Sequence, residues 1–263
     1  MRGIAGWFTR PRLIMVIAAA VAVAMGAGGT ALALGGPSSS HVAAMSRGGL
    51  TRAELKVTSG TAILDISVGR LGRTLLRAWT PDGAPVRPVL PDSGLADRGL
   101  IVLALAGTVP GGQGPGGPAS QRQDSGYAVK VVLNAAVTWS LDLAGGTQLT
   151  KVDLRGGKVA GIAVMAGSDT LDLSLPRPAG TLPLLLAGGV SQFLLSLPAG
   201  VPAQVTVGGG ASSVSLDGQH LTGIAGGTVV TSPGWAAATA RYDIDATSGF
   251  SQLAVSRRVA GGS

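Results

Sequence analysis

Four consecutive segments of the chain decide its fold: WSLDLAGGTQLTKVDL (residues 139–154), GIAVMAGSDTLDLSL (161–175), LPLLLAGGVSQFLLSL (182–197) and AQVTVGGGASSVSLDG (203–218). Each segment reads as an apolar alternation, a glycine turn and a second alternation, which is the pattern of a strand, a tight turn and a strand. The segments recur after about 20 residues, a length too short for one unit to bury its own apolar face. We therefore predict an all-β fold, a repetitive β-solenoid (β-helix) whose stacked units share one core.

The second strand of each segment carries an apolar-polar-apolar triplet, which assigns a direction to its side chains. Because side chains alternate along a strand, flanking residues such as Leu195 and Leu197 are expected to point inward and the central residue outward. The central residues are then expected to form one column facing the solvent: Asp153, Ser174, Ser196 and Ser215.

Glycines separate the paired strands of each unit: Gly145, Gly167, Gly188 and Gly208. We interpret them as corners that need a positive φ or a close backbone approach. A phosphate site at these turns is disfavoured, because a strand follows each glycine where a phosphate loop needs a helix N-terminus. The glycines are therefore expected to have a structural role and not to bind a ligand.

Related strand-turn-strand units extend the repeat beyond the four segments, at Leu55–Ile66 and Tyr242–Val255. The predicted solenoid domain accordingly covers residues 51–256 and is followed by a tail at 257–263. Inside the domain, residues 107–126 are rich in Gly, Pro, Gln and Ser, a composition that cannot build a core. This segment is predicted to be a disordered loop.

The N-terminal region is predicted to export the domain. An uncharged run, LIMVIAAAVAVAMGAGGTALAL, fills residues 13–34 and is close to the ~20 residues that a helix needs to cross a bilayer. The basic flank at residues 1–12 should stay cytoplasmic, which places the rest of a single-pass cell-membrane protein outside. Cleavage as a signal peptide after Ala31-Leu32-Ala33, with secretion of the product, is the alternative. Residues 35–50 read as a flexible linker.

Composition and charge argue against several classes of function. The net charge is +7, but three of the basic residues lie in the N-terminal flank and the whole chain has nine aromatic residues, which disfavours nucleic-acid binding. The absence of cysteine excludes disulfides and thiolate sites. The stretch Gly69–Arg98 has a less regular pattern. A helix there would place Arg70, Arg73 and Arg77 on one face. We interpret that face as solvated, with a binding patch as the alternative.

An enzyme is the competing hypothesis, because β-helices can present paired acids. Glycoside hydrolysis needs two carboxyl groups about 5 to 10 Å apart. The candidate acids, Asp142, Asp153, Asp169 and Asp172, do not fall one repeat apart in a single column. Asp169 and Asp172 come closest to a cluster; we interpret these two as turn-capping and solvent-facing strand residues and assign no catalytic residue.

The histidines and two tryptophans give no clearer site. His41 and His220 are far apart in the chain and have no metal-ligand or triad spacing, so no metal or cofactor residue is assigned. Trp139 and Trp235 could stack on a sugar, although a lone tryptophan is more often packed in a core.

The segments SLDLAGGTQLTKVDL, VMAGSDTLDLSL and YDIDATSGFSQLAVS resemble the toast-rack family of adhesin-like bacterial envelope β-helix domains, which is related to the cell-wall-active-antibiotic response proteins. The resemblance covers about half of the chain. It implies a β-helical domain at the cell envelope with an adhesive or stress-sensing role and no catalytic residues. We therefore expect a non-catalytic, membrane-tethered protein that contacts an envelope protein or a cell-wall glycan, with a polysaccharide-degrading enzyme as the alternative. A sensor or accessory of an envelope complex is not distinguished from an adhesin, and the oligomeric state stays open.

Overall fold

The computed structural model of the protein describes residues 41–82, 84–90, 98–107 and 128–258. They belong to one compact unit, Ser39–Ser263. The predicted membrane or signal segment at 13–34 and the predicted loop, apart from Gly107, lie outside the described residues. In the part that the structure describes, helical structure is limited to a 3-10 turn at Trp235–Ala237, and no helix has the length and hydropathy that spanning a membrane requires.

Strands make up most of the described residues, which confirms the all-β prediction. In chain order they are β1 Val42–Ser46, β2 Arg52–Val57, β3 Thr61–Gly69, β4 Thr74–Trp79, β5 Val86–Val89, β6 Leu100–Gly107, β7 Ala128–Asn134, β8 Thr138–Leu143, β9 Thr147–Asp153, β10 Lys158–Val164, β11 Ser168–Ser174, β12 Thr181–Leu186, β13 Val190–Pro198, β14 Ala203–Val207, β15 Ala211–Leu216, β16 Gln219–Ile224, β17 Thr228–Thr231, β18 Arg241–Ala246 and β19 Phe250–Arg258. Sheet 1 has the order β1-β4-β7-β3-β9-β11-β13-β19-β15-β16, and sheet 2 has the order β17-β14-β18-β12-β10-β8-β2-β6-β5.

Through most of its length the chain alternates between the two sheets. In the central part, β8, β10 and β12 lie side by side and parallel in sheet 2, while β9, β11 and β13 do the same in sheet 1. We call each sheet 2 strand, together with the sheet 1 strand that follows it, a rung. The inward side chains of both sheets belong to one buried cluster, and Leu173 and Leu195 in the triplets are 0% and 1% exposed. The predicted inward positions are therefore confirmed.

The rungs do not stack in chain order. The last rung, β18–β19, lies between β12–β13 and β14–β15, and the first, β2–β3, lies between β6–β7 and β8–β9. Asp153, Ser174 and Ser196 form the predicted column, but Ser256 takes the next place in it. Ser215 pairs with Ala254 instead, so its predicted place in the column is wrong. Every rung presents a similar apolar pattern, and the pattern alone cannot specify which rung is the neighbour.

Antiparallel strands close both ends of the stack. At the C-terminal end β16 pairs with β15 and β17 with β14; at the N-terminal end β4 pairs with β7 and β5 with β6. β1 adds a further strand beside β4, so Val42–Ser46 is part of the sheet although it falls in the predicted linker at 35–50. Arg77 lies on β4 and not on a helix, and Arg70 and Arg73 lie in the preceding turn.

Glycine is required at these corners because neighbouring rungs approach closely there, and not because the backbone needs a positive φ. A Cβ on Gly145 would overlap the Ser59 carbonyl, and a Cβ on Gly188 would overlap the Ala166 carbonyl. Gly208 is less crowded, since a Cβ there would lie 2.9 Å from the Ala246 carbonyl oxygen, and none of these three glycines has a positive φ. Gly167 differs, because a Cβ there would meet its nearest neighbour at an ordinary 3.4 Å. The corners can pack this tightly because their amides continue the hydrogen bonding between rungs, as Gly188 N does to Val164 O at 3.0 Å.

An arginine fastens the last strand to the C-terminal end of the stack. Arg257 occupies the register position of the buried Leu197, where an apolar residue is expected. Its guanidinium donates to both carboxylate oxygens of Asp217, at 2.6 and 2.8 Å, and to the Val201 carbonyl at 2.6 Å. Hydrogen bonds from Arg257, and one from the buried Ser232, lower the pKa of Asp217. Asp217 and Gly218 both have positive φ, as a two-residue type I′ hairpin turn requires.

Candidate functional site

A groove of about 1160 Å³ runs along the corner where the chain passes from sheet 2 to sheet 1. It crosses six neighbouring strands of sheet 1, from β3 through β9, β11, β13 and β19 to β15, a span of about 24 Å at ~4.8 Å per strand. Val86 and Leu105 lie at its N-terminal end. We call it the glycine groove, because glycines from successive rungs line it: Gly60, Gly146, Gly167, Gly189, Gly249, Gly209 and Gly210.

The side chains of the inner wall of the glycine groove make contacts within the protein. Thr147 and Ser168 are cross-strand neighbours, and their hydroxyl oxygens lie 2.9 Å apart. Ser168 Oγ also donates to the Thr170 carbonyl at 2.9 Å. At the equivalent positions of the next rungs, Val190 and Phe250 are buried. The side chains of the inner wall are therefore hydrogen-bonded within the protein or packed in its core. Only the outer residues of the groove are available to a ligand.

The outer residues of the glycine groove are exposed and polar. They follow the glycines in successive strands: Gln148, Asp169, Ser191, Ser251 and Ser212. Among the described residues that line the groove, Asp169 is the one charged residue, and none is a lysine or arginine. The groove therefore presents hydroxyl, amide and backbone groups that can donate and accept hydrogen bonds, in a surface with little charge.

The structure disperses the four candidate acids. Asp142 lies on the outer face of sheet 2, 2.8 Å from Lys56 Nζ, while Asp169 alone lies in the groove. Asp153 and Asp172 share the outer face of sheet 1, diagonally offset by about 8 Å. Hydrogen bonds from Arg155 lower the pKa of Asp153, so Asp153 is held ionised. A general acid needs the opposite shift, and this pair lies on an open face away from the groove.

The histidines and tryptophans also lie away from the groove. His41 Nδ1 is 3.1 Å from Thr80 Oγ1, and His220 Nδ1 is 2.7 Å from Ser215 Oγ across an exposed strand pair. Among the described residues no group of three or more His, Cys, Asp or Glu side chains could hold a metal ion.

Both candidate tryptophans are engaged by the protein itself. Trp139 is 0% exposed, which leaves no face for a sugar. Trp235 donates from Nε1 to the Tyr242 carbonyl at 2.8 Å, and Arg241 lies over its ring at 4.5 Å. Neither ring lines the glycine groove.

Apart from Asp169, the polar residues of the groove were not identified from the sequence, because the glycines were interpreted only as corners of the fold. The signal that could have found them is the polar residue that recurs shortly after each turn, as in Gly-Gly-Thr-Gln at 145–148 and Gly-Gly-Val-Ser at 188–191. A corner without side chains leaves a depression, and a polar residue on its rim stays exposed. Repetition of that pattern over stacked rungs makes the depression continuous.

Comparison with known proteins supports the architecture. No family model matches the chain, and no curated protein matches it. A crystal structure described as a "putative cell adhesion protein" from Clostridium sporogenes ATCC 15579 is similar, with a TM-score of 0.54 and 16% sequence identity. The match covers 82% of this chain and 98% of that chain. At this identity the similarity concerns the fold, and the chain shares its all-β architecture with that protein.

Proposed function

We propose that this chain is a non-catalytic adhesion protein of the cell envelope, whose two sheets form a β-solenoid that binds a neutral glycan in the glycine groove. The observation that carries the proposal is the groove itself, which crosses six strands and exposes a polar side chain or bare backbone at each. The fold that the chain shares with a protein described as adhesive supports the same function.

The chemistry of the groove favours a neutral glycan. Sugar hydroxyls both donate and accept hydrogen bonds, and the exposed Gln148, Ser191 and Ser251 offer groups of both kinds. In the described lining of the groove, a strongly anionic ligand would meet Asp169 and no cation. An extended chain of sugars could contact several rungs at once, so affinity should increase with chain length.

Binding of oligosaccharides to residues 39–263 tests the proposal. This unit contains the whole buried cluster of the described residues, and it is expected to fold without the preceding segment. We expect calorimetry to detect the hexamer of N-acetylglucosamine or maltohexaose, with at least tenfold weaker binding of the corresponding monosaccharide. Incubation with either hexamer should release no new reducing ends.

A matched pair of serines on β19 locates the binding surface. Ser251 lies in the groove, whereas Ser256 is exposed on the outer face of sheet 1. Ser251→Tyr should weaken hexamer binding at least tenfold by filling the groove, and Ser256→Tyr should leave it within about twofold. Equal effects of the two substitutions, or no binding of either hexamer by the folded protein, would refute a glycan-binding groove.

We also propose that the uncharged segment at 13–34 anchors this domain on the outer side of the cell membrane. Fractionation and mass spectrometry should find an intact chain, beginning at residue 1, in the membrane fraction. A soluble product that begins near Leu34 would show cleavage. Protease should digest the domain in intact protoplasts; resistance there, with digestion in lysed cells, would contradict the outer location.

A further inference from the structure

The corner opposite the glycine groove, where the chain passes from sheet 1 to sheet 2, carries a cluster of cations. We propose that this cluster binds a linear polyanion, a polymer with repeated carboxylate or phosphate groups, as a second contact separate from the glycine groove. We call the cluster the basic edge and define it by six residues: Arg47, Arg52, Arg70, Arg73, Arg98 and Lys158.

Three residues of the basic edge lie in turns that follow strands of sheet 1. Arg47 follows β1, and Arg70 and Arg73 lie between β3 and β4. The two turns touch, since Arg47 N donates to the Arg73 carbonyl at 2.7 Å.

The other three residues lie where strands of sheet 2 begin. Arg52 and Lys158 are the first residues of β2 and β10 and pair with Thr138 of β8 from opposite sides. Arg98 precedes β6, and Arg98 and Arg52 line the same small cavity. These three cations therefore extend over the neighbouring strands β6, β2, β8 and β10, a distance of about 14 Å.

The charge of the basic edge is largely uncompensated within the described residues. The ion pairs there use Lys56, Arg155 and Arg257, and none uses a residue of the basic edge. One acid, Glu54, lines the cavity beside Arg52. All of the cations except the half-buried Arg47 are exposed.

Three further arginines at this corner donate hydrogen bonds to backbone carbonyls. Arg177 donates to the Ala199 carbonyl, Arg241 to the Ala236 carbonyl and Arg258 to the Leu175 carbonyl. These hydrogen bonds fix the three side chains but do not neutralise them. Among the described residues, the unpaired cations with no side-chain hydrogen bond therefore lie in the N-terminal half of the corner. A row of uncompensated cations attracts an anionic polymer over several ångströms and gains free energy by releasing its counterions.

The shape of the basic edge favours a polymer over a lipid surface. The cations follow one corner of the stack instead of covering a face. The exposed large apolar side chains among the described residues, such as Met165 and Leu194, lie outside the turns that hold the cations. A bilayer would gain little from this corner beyond charge, whereas a linear polymer can follow it.

Binding of polygalacturonate and of long-chain polyphosphate to residues 39–263 tests the proposal, with dextran as the neutral control. The edge variant R52Q/R70Q/R98Q/K158Q removes four charges from the basic edge. The face variant R77Q/R87Q/K130Q/K151Q removes four charges from strands elsewhere and has the same net charge. Circular dichroism and thermal unfolding verify that both variants are folded.

We expect at least tenfold weaker binding of both polyanions by the edge variant and a change within about twofold for the face variant. The logarithm of the dissociation constant should rise with the logarithm of the salt concentration with a slope of about 3, at ~0.7 for each of four contacts by analogy with single-stranded nucleic acids. Ser251→Tyr should not alter polyanion binding, which separates this contact from the glycine groove.

Three results would overturn the proposal. Equal losses in the two variants would show a response to net charge alone. The absence of polyanion binding by the folded protein would remove the site. Binding to phosphatidylglycerol vesicles, with phosphatidylcholine vesicles as control, but to neither polymer would replace it with a lipid contact.

Discussion

Leu195→Asp is expected to unfold the domain, whereas Ser196→Asp is expected to leave it folded. Leu195 is 1% exposed and lies between Leu173 and Val255 in the shared core. The substitution would lose about 2 to 5 kcal/mol of apolar packing. Burial of the carboxyl group, ionised or protonated, would cost more. That sum approaches the ~5 to 15 kcal/mol by which a whole domain is usually stable.

Ser196 is one residue along the same strand and faces the opposite way. Its cross-strand neighbours are Ser174 and Ser256, and Arg258 donates to its carbonyl at 3.1 Å. An added carboxylate there would meet water and a nearby cation. The stability of both variants is measured by thermal unfolding, monitored by circular dichroism. Similar destabilisation of the two would contradict the assignment of Leu195 to the inner face and Ser196 to the outer face of β13.

Gly188→Ala is expected to destabilise the domain by about 3 kcal/mol or more, because overpacking against backbone has no flexible side chain to move. The added methyl group would overlap the Ala166 carbonyl of the neighbouring rung. Separation of the two rungs would also strain the hydrogen bond from Gly188 N to Val164 O. Urea unfolding at equilibrium measures the change in the free energy of unfolding.

Gly180→Ala is the matched control for this prediction. Gly180 has no positive φ, and a Cβ there would meet no heavy atom within 4 Å. Alanine should therefore change the free energy of unfolding by no more than about 1 kcal/mol, and in the stabilising direction if it changes it at all. A Gly188→Ala protein as stable as the Gly180→Ala protein would show that the rungs can separate at the corner.

Both ends of the stack carry added antiparallel strands. A stack of rungs exposes two open strands at each end, which are hazards for aggregation. Here antiparallel strands cover both ends, and Arg257 ties one of them to the last strand through Asp217.

The alternation of side chains and the spacing of the glycines were enough to predict strands, turns and the inward residues. Leu173, Leu195 and Leu197 are buried as expected, because the two-residue period of a strand depends only on local geometry. The close approach at Gly145 and Gly188 was likewise expected from glycine at a recurring position, although the sequence did not separate it from a requirement for positive φ.

The tertiary structure alone decided which rungs are neighbours, and with that the functional surfaces. The insertion of β18–β19 beside β13 moved Ser215 out of its expected column and placed Arg257 at an inward position. The glycine groove and the basic edge both arise from residues that are distant in sequence, such as Gly60 with Ser251 and Arg52 with Lys158. Similar rungs can stack in several orders with nearly the same apolar burial, so the order depends on the caps and corner contacts between rungs, which a local pattern does not contain.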